Sequence, residues 1–200
     1  MGTRPRTLLI CCGAIAREVL SIIDANGLAG FVVESLPAKL HNRPEQIPER
    51  VREKIQARRD AFDRLVVLYS DCGTGGLLQK VLDEEGVEGI GGAHCYEMFT
   101  GTAVFTALAE AELGTFYLTD YLARHFDSLI YKGLGLDRHP ELQAVYFKHY
   151  KKLVYLAQRD DPELLGYAEA AARRLDLPLE VHKTGYGLYQ DFLNRVQAAS

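Results

Sequence analysis

Short apolar runs alternate along the chain with longer stretches in which apolar residues recur at helical spacing. The clearest run, Leu65–Tyr69, is apolar throughout, which is typical of a central strand buried on both faces. The other predicted strands are Thr7–Cys11, Phe31–Glu34, Gly89–Ala93, Thr115–Leu118, Leu153–Ala157 and Pro178–Val181. The predicted helices are Ala14–Asn26, Pro44–Phe62, Leu77–Glu85, Tyr96–Glu110, Asp120–Ile130, Pro140–Lys151, Pro162–Leu175 and Gly187–Ala198.

This alternation predicts an α/β fold: a three-layer, Rossmann-like, mostly parallel sheet with helices on both faces. The chain has 200 residues without an internal repeat or a linker. We therefore expect a single α/β domain over residues 1–200 with a C-terminal helix. The segment Leu36–Pro44 contains two prolines, which predict a loop. Its residues His41 and Asn42 could fold as a lid over the crevice at the carboxyl ends of the strands.

Composition and charge exclude some classes of partner. A net charge of -4, with basic residues spread along the chain, gives no electrostatic case for nucleic acid or an anionic membrane. No apolar run approaches the roughly 20 residues that span a bilayer. Because no export signal is recognised, we expect a cytoplasmic protein whose thiols stay reduced. The four cysteines are then ligands, reactive thiols or core residues rather than disulfides.

Three cysteines lie where a predicted strand ends and a helix follows: Cys12, Cys72 and Cys95. The functional crevice of a parallel sheet lies beyond the carboxyl ends of its strands, so we expect the three thiols to converge there. Thiolates at such positions bind zinc at about 2.3 Å and leave a fourth position open for substrate. They could instead hold a [4Fe–4S] cluster, which usually takes four cysteines. Cys11 points to the opposite face of its strand and is predicted to be core.

Each of these cysteines, taken alone, could equally be a core residue, since free cysteine is among the most buried residue types. No CxxC pair strengthens the metal interpretation. However, Cys72 lies between Asp71 and Gly73, and Cys95 lies between His94 and Tyr96. Packing does not require such polar and glycine neighbours, so the three cysteines together favour a metal site.

Two neighbours of the cysteines are candidate catalytic residues. His94 could be a fourth ligand, a proton carrier or a surface residue, because histidine titrates near neutral pH. Asp71 could orient a metal ligand or receive a substrate amine.

Candidate substrate-binding residues surround the same predicted crevice. The loop Gly73-Thr74-Gly75-Gly76 opens a helix, and its backbone N–H groups could bind a carboxylate or phosphate. The loop lacks the lysine of a phosphate-binding loop and the spacing of a dinucleotide fingerprint, so its glycines could simply allow a tight turn. Arg17 and Glu97 fall near the same rim and are the other candidates.

Six segments together resemble one family, a domain-of-unknown-function family numbered 1638. The segments are Cys12–Glu18, Leu36–Pro44, Tyr69–Gly76, His94–Phe99, Gly114–Asp120 and Leu134–Arg138. The resemblance covers nearly the whole chain. It implies a bacterial or archaeal cytosolic protein, a loose association with corrinoid-dependent one-carbon metabolism, and motif cysteines at Cys12, Cys72 and Cys95.

The leading hypothesis is a metal-dependent enzyme of thiol or methyl-transfer chemistry, with zinc at the three cysteines. Zinc would make an incoming thiol, such as an amino-acid thiol like homocysteine, a nucleophile toward a methyl donor. A second hypothesis places a [4Fe–4S] cluster with an open iron at the same cysteines. A third is a non-catalytic metal- or cofactor-binding accessory protein. The expected partners are a small thiol or amino-acid substrate and a corrinoid protein.

Overall fold

The computed structural model describes residues 6–199. Within that range the chain divides into two compact units. Unit 1 comprises residues 6–98 with 186–199, and unit 2 comprises Phe99–Gly185. The expectation of a single domain over residues 1–200 stays a prediction.

Unit 1 is built on a parallel sheet whose strands, within the described residues, lie in the order β2-β1-β3-β4. The strands are β1 (Thr7–Cys12), β2 (Phe31–Leu36), β3 (Arg64–Leu68) and β4 (Glu88–Gly89). The helices are α1 (Ala16–Ala25), α2 (Ile47–Arg58), α3 (Leu77–Glu85), α4 (Cys95–Thr100, which ends in unit 2) and α9 (Leu188–Ala198). Short 3₁₀ turns cover Ala38–Asn42, Pro44–Gln46 and Arg59–Ala61.

Both faces of the central strands of unit 1 are buried, as the apolar run predicted. One face contributes Leu8, Ile10 and Val67 to a cluster with residues of α2 and α3. The alternate residues Leu9 and Cys11 are also fully buried. The prediction that Cys11 is a core residue is therefore confirmed.

Unit 2 contains a second parallel sheet in the order β5-β6-β7. Its strands are β5 (Thr115–Thr119), β6 (Lys152–Ala157) and β7 (Leu179–Lys183). Its helices are α5 (Thr102–Ala111), α6 (Asp120–Arg124), α7 (Leu142–Phe147) and α8 (Pro162–Leu175), with one π turn at Asp127–Tyr131. Leu118, Leu153 and Tyr155 of the sheet pack with Leu164 and Ala168 of α8 in the core of this unit.

The α/β class and the parallel strands are confirmed, but the strands form two sheets rather than one. The predicted helix Tyr96–Glu110 is wrong as a single element, because Gly101 separates α4 from α5 with a φ of 81° that only glycine adopts readily. The predicted helix Asp120–Ile130 is also wrong as a single α-helix, because α6 ends at Arg124 and a π turn follows at Asp127–Tyr131. Among residues 6–199, no helix combines the length and apolarity needed to cross a bilayer.

Candidate functional site

The three cysteines lie at the carboxyl end of the sheet of unit 1. Cys12 is the last residue of β1, Cys72 follows β3, and Cys95 is the first residue of α4. Interaction with Cys95 lowers the pKa of Cys72, and interaction with Cys72 raises the pKa of Cys95, so the two side chains lie near each other. Charge on Cys72 contributes to a raised pKa of Cys12, and charge on Cys12 contributes to a raised pKa of Cys95. We call Cys12, Cys72 and Cys95 the thiol cluster, and its members are all free cysteines.

Two backbone hydrogen bonds hold Cys72 next to the segment that carries Cys95. The N–H of Asp71 donates to the carbonyl of Gly92, and the N–H of Cys72 donates to that of Ala93, each at 2.9 Å. These bonds continue the pairing of β3 with β4 after the strands end. The sheet register therefore brings together two cysteines that are distant in sequence.

Cys72 has an unusual backbone conformation. Its φ of 49° lies in the left-handed region, where a side chain other than glycine costs about 1–2 kcal/mol. Such strain persists when surrounding contacts hold it, and it is concentrated at functional sites. Here the contacts are the bond to Ala93 and the turn that begins at Asp71.

Two histidines complete a set of potential metal ligands with Cys72. One ring nitrogen of His41, one of His94 and the Sγ of Cys72 all lie within 4.8 Å of one another. The two imidazole rings meet edge to face, with centroids 5.2 Å apart. Nδ1 of His94 is also 3.5 Å from Sγ of Cys95. Imidazole nitrogen and thiolate sulfur are the donors that zinc prefers.

Sequence reasoning placed His41 on a lid and did not identify it as a ligand. The side chain is exposed and belongs to the 3₁₀ turn Ala38–Asn42. The turn follows β2, and Cys12 pairs with Leu36 at the end of that strand. The only signal available was the position of this loop directly after a predicted strand.

The thiols differ in protonation because their surroundings differ. The pKa of Cys72 is lowered, since hydrogen bonds from Cys95 and His41 and the charge of His94 outweigh its burial. The pKa of Cys95 is raised by its bond to Cys72 and by burial. Burial also raises the pKa of Cys12 and lowers that of His94. Cys72 is therefore the member of the thiol cluster best prepared to act as a thiolate.

Buried hydroxyl groups lie behind the thiol cluster. Tyr69 and Ser70 are 3% and 2% exposed, and neither hydroxyl makes a hydrogen bond of standard geometry within residues 6–199. The hydroxyl of Tyr69 nevertheless lies close enough to Cys12 to lower its pKa. Tyr189 of α9 is also buried. Burial raises the pKa of its hydroxyl, and negative charge on the thiol cluster raises it further. The protons of the Tyr69 and Ser70 hydroxyls are available to sulfur or to a bound ligand.

The glycine loop after Cys72 is organised by the Asp71 side chain. One carboxylate oxygen, Oδ1, accepts from the N–H groups of Gly73 and Gly75, each at 3.1 Å. The other, Oδ2, accepts from the N–H of Gly76 and the hydroxyl of Thr74, each at 2.7 Å. An anionic substrate would have to displace Asp71 to use these N–H groups. The substrate-binding role of this loop stays a prediction, and the visible role of Asp71 is to shape the turn.

The other two predicted site residues lie in unit 1 outside the ligand set. Oε2 of Glu97 accepts from the N–H of Ala93 at 2.8 Å and so fixes the turn before Cys95. Arg17 is the second residue of α1 and is exposed. The structure thus brings Cys72 and His94 together and places Cys95 beside His94, whereas the convergence of all three cysteines on one metal stays a prediction. Asp71 and Glu97 contact the adjacent backbone.

No curated protein matches this sequence. One family does match, over residues 35–193, and its description is "Protein of unknown function (DUF1638)". The matched range holds most of the chain and includes Cys72, Cys95, His41 and His94. The family resemblance predicted from the sequence is therefore confirmed, and the chain belongs to the DUF1638 family.

Proposed function

We propose that the protein binds a zinc ion beside the thiol cluster and uses it to activate a thiol substrate for methyl transfer. The observation that carries this proposal is the set of ligand atoms from His41, Cys72 and His94, which lie within 4.8 Å of one another. Sγ of Cys95 lies 3.5 Å from Nδ1 of His94, which adds a thiol beside this set. Cys72 belongs both to this His/Cys set and to the three-cysteine set predicted from sequence.

Zinc bound here would lower the pKa of an incoming thiol and make it a nucleophile at neutral pH. The protein supplies the ligands, and its buried hydroxyls can hydrogen-bond to sulfur. The exposed side chain of His41 lies on the solvent side of the set, where a substrate would approach. A small thiol or amino-acid thiol such as homocysteine is the substrate class that this chemistry suits.

Metal content tests the first part of the proposal. The full chain is purified anaerobically as wild type, Cys72→Ala and Cys11→Ala, and the zinc content per chain of each protein is measured. We expect about one zinc per chain in wild type, as for a single-ion site, and little in Cys72→Ala. Cys11→Ala is the matched control because Cys11 is buried and predicted to face away from the site. Metal-free wild type, or full zinc in folded Cys72→Ala, would contradict the proposal.

Consumption of methylcobalamin with homocysteine tests the second part. The family's expected association with corrinoid-dependent metabolism suggests this methyl donor. Turnover should require zinc and fail in Cys72→Ala. If zinc binds but the isolated chain shows no turnover unless a corrinoid protein is added, the accessory role is favoured.

The three sulfur atoms also support a second candidate, a [4Fe–4S] cluster with an open iron. The two histidines beside Cys72 favour zinc, since a cluster would need thiolates in their place. A brown protein that absorbs near 400 nm after anaerobic purification would identify the cluster. A colourless, zinc-containing protein would exclude it.

A further inference from the structure

The backbone of β7 is hydrogen-bonded on one side only. In the part of the chain that the structure describes, β7 pairs with β6 alone and forms one edge of the sheet of unit 2. The carbonyl of Pro178 accepts from the N–H of Leu153, and the N–H of Thr184 donates to the carbonyl of Ala157. The N–H and C=O groups of successive strand residues point to opposite sides, so alternate residues point away from β6. These outward residues are Leu179, Val181 and Lys183.

This edge of the sheet is open to solvent. None of the residues of β7 is buried, and Val181 is 44% exposed. The opposite edge strand of the same sheet, β5, differs, because its buried residues are Thr115, Leu118 and Thr119. An exposed edge strand offers unpaired N–H and C=O groups to another strand. A further strand can therefore add to unit 2 beside β7.

A second copy of β7 fits this edge in an antiparallel arrangement. When a two-fold axis passes beside Val181, this residue lies opposite its own copy. Leu179 then lies opposite Lys183 of the second copy. All of these residues direct their N–H and C=O groups outward, so each opposed pair can exchange both backbone hydrogen bonds. The hydrogen-bonding groups of β7 are thus complementary to themselves.

The side chains favour this register over its neighbours. Glu180 lies opposite His182 of the second copy, in a pair whose side chains come closest together. An imidazole N–H can donate to a carboxylate whether or not the ring is protonated. The next register in one direction opposes Glu180 to its own copy, and the next in the other direction opposes His182 to its own copy. Because like charges directly opposite are destabilising, charge complementarity selects the register centred on Val181.

A groove at the start of β7 suits the lysine of the second copy. The groove has a volume of about 440 Å³ and is lined by Leu179 and Asp176 among others. Within residues 6–199, Asp176 forms no ion pair, and Lys183 pairs with the exposed Asp160. Such an exposed pair contributes little and is easily exchanged. Lys183 of the second copy can pack its stem on Leu179 and bring its ammonium group towards Asp176.

We infer that the protein self-associates through β7, so that the three-stranded sheets of two copies join across a two-fold axis. A second copy is the occupant because both the hydrogen-bonding groups and the charges of this strand match their own reversed order. Pairing would cover the open edge and bury Val181. Interfaces below about 1,200 Å² are weak, so we expect one short strand pair to give a dissociation constant of roughly 1–100 µM. Dimerisation does not depend on a metal in unit 1.

Sedimentation velocity of the full chain, over a concentration series that reaches about 300 µM, tests the inference. Wild type should change from monomer to dimer. Val181→Pro removes an N–H that β6 does not use, which an edge strand tolerates, and should weaken dimerisation at least about tenfold. Val181→Thr is the matched control, because it keeps the N–H and the branched side chain, and it should dimerise as wild type does. Far-ultraviolet circular dichroism checks that each variant is folded.

A charge swap tests the register without altering the backbone. His182→Glu places a carboxylate opposite Glu180 of the second copy and should weaken the dimer about tenfold. Adding Glu180→His to that variant restores a carboxylate opposite an imidazole and should recover most of the affinity. A dimer that His182→Glu or folded Val181→Pro leaves as tight as wild type would overturn the inference. A wild type that stays monomeric throughout the series would also overturn it, and would leave the edge to a strand of another protein.

Discussion

The turn after Cys72 should depend on the charge of Asp71. Its two carboxylate oxygens accept four hydrogen bonds, from three backbone N–H groups and the hydroxyl of Thr74. In Asp71→Asn one oxygen becomes an NH₂ group, which cannot accept. At least one pair of donors then loses its acceptor, whichever way the amide is oriented.

The size of the effect follows from the number of bonds and their exposure. A hydrogen bond to a charged group contributes about 1.5–3 kcal/mol, and this is reduced where water can replace the acceptor. The N–H groups of this turn belong to exposed glycines, whereas Thr74 is buried. We therefore expect Asp71→Asn to lower the free energy of unfolding by about 2 kcal/mol. Because the turn holds Cys72 in its left-handed conformation, zinc affinity should fall about 10- to 100-fold.

The contribution of Asp71 to the free energy of unfolding depends on pH in a definite direction. Partial burial acts to raise the pKa of Asp71, but the hydrogen bonds from Thr74 and the glycine N–H groups lower it overall. The unfolded chain therefore binds the proton more tightly than the folded protein does. The stability contributed by Asp71 is fully present above its ordinary pKa, near 4, and is lost as the pH falls through its lower folded value.

The assay combines urea unfolding between pH 3 and 7 with zinc titration at pH 7. Asp83→Asn is the matched control, since Asp83 accepts one exposed bond from Gln79. That change should alter stability by less than about 0.5 kcal/mol. If Asp71→Asn matched wild type in stability, zinc affinity and acid sensitivity, the assigned role of the carboxylate would be refuted.

Two further predictions follow from matched pairs of residues. In unit 2 the hydroxyl of Tyr155 donates at 2.7 Å to Asp120, which is 2% exposed, so Tyr155→Phe should cost about 2 kcal/mol in urea unfolding. Tyr167→Phe removes an exposed bond of the same length and should cost under about 0.5 kcal/mol; equal costs would contradict the role given to burial. At the site, His41→Ala should weaken zinc binding at least about tenfold by titration. His182→Ala, on β7, should leave it unchanged, and equal affinities of the two variants would remove His41 from the ligand set.

Two helices with strong local signals begin and end at the residues that the sequence predicted. The helix Leu77–Glu85 ends at Gly86, which adopts the left-handed conformation of a helix C-cap. The helix Pro162–Leu175 begins with proline after Asp161, whose side chain accepts from the N–H groups of Glu163 and Leu164. In both cases a few adjacent residues contain the whole signal. The split into two sheets has no such signal, because strand pairing depends on residues distant in the chain.

The candidate site divides in the same way. The position of Cys12, Cys72 and Cys95 after strands could be predicted from the chain, since parallel strands bring their carboxyl ends to one edge. The participation of His41 could not, because an exposed loop has no periodicity that fixes where its side chains point. The interaction of Asp71 with the glycine loop could not be predicted either. Its carboxylate accepts hydrogen bonds from the N–H groups that the sequence analysis assigned to a substrate.

The sequence by itself thus determined the α/β class, the elements with local caps and the strand-end positions of the cysteines. Only the tertiary structure decided the two sheets and the approach of both histidines to Cys72. The physical reason is range. Caps and hydrophobic periodicity act over a few residues, whereas the site depends on backbone pairing and loop packing between segments far apart in the chain.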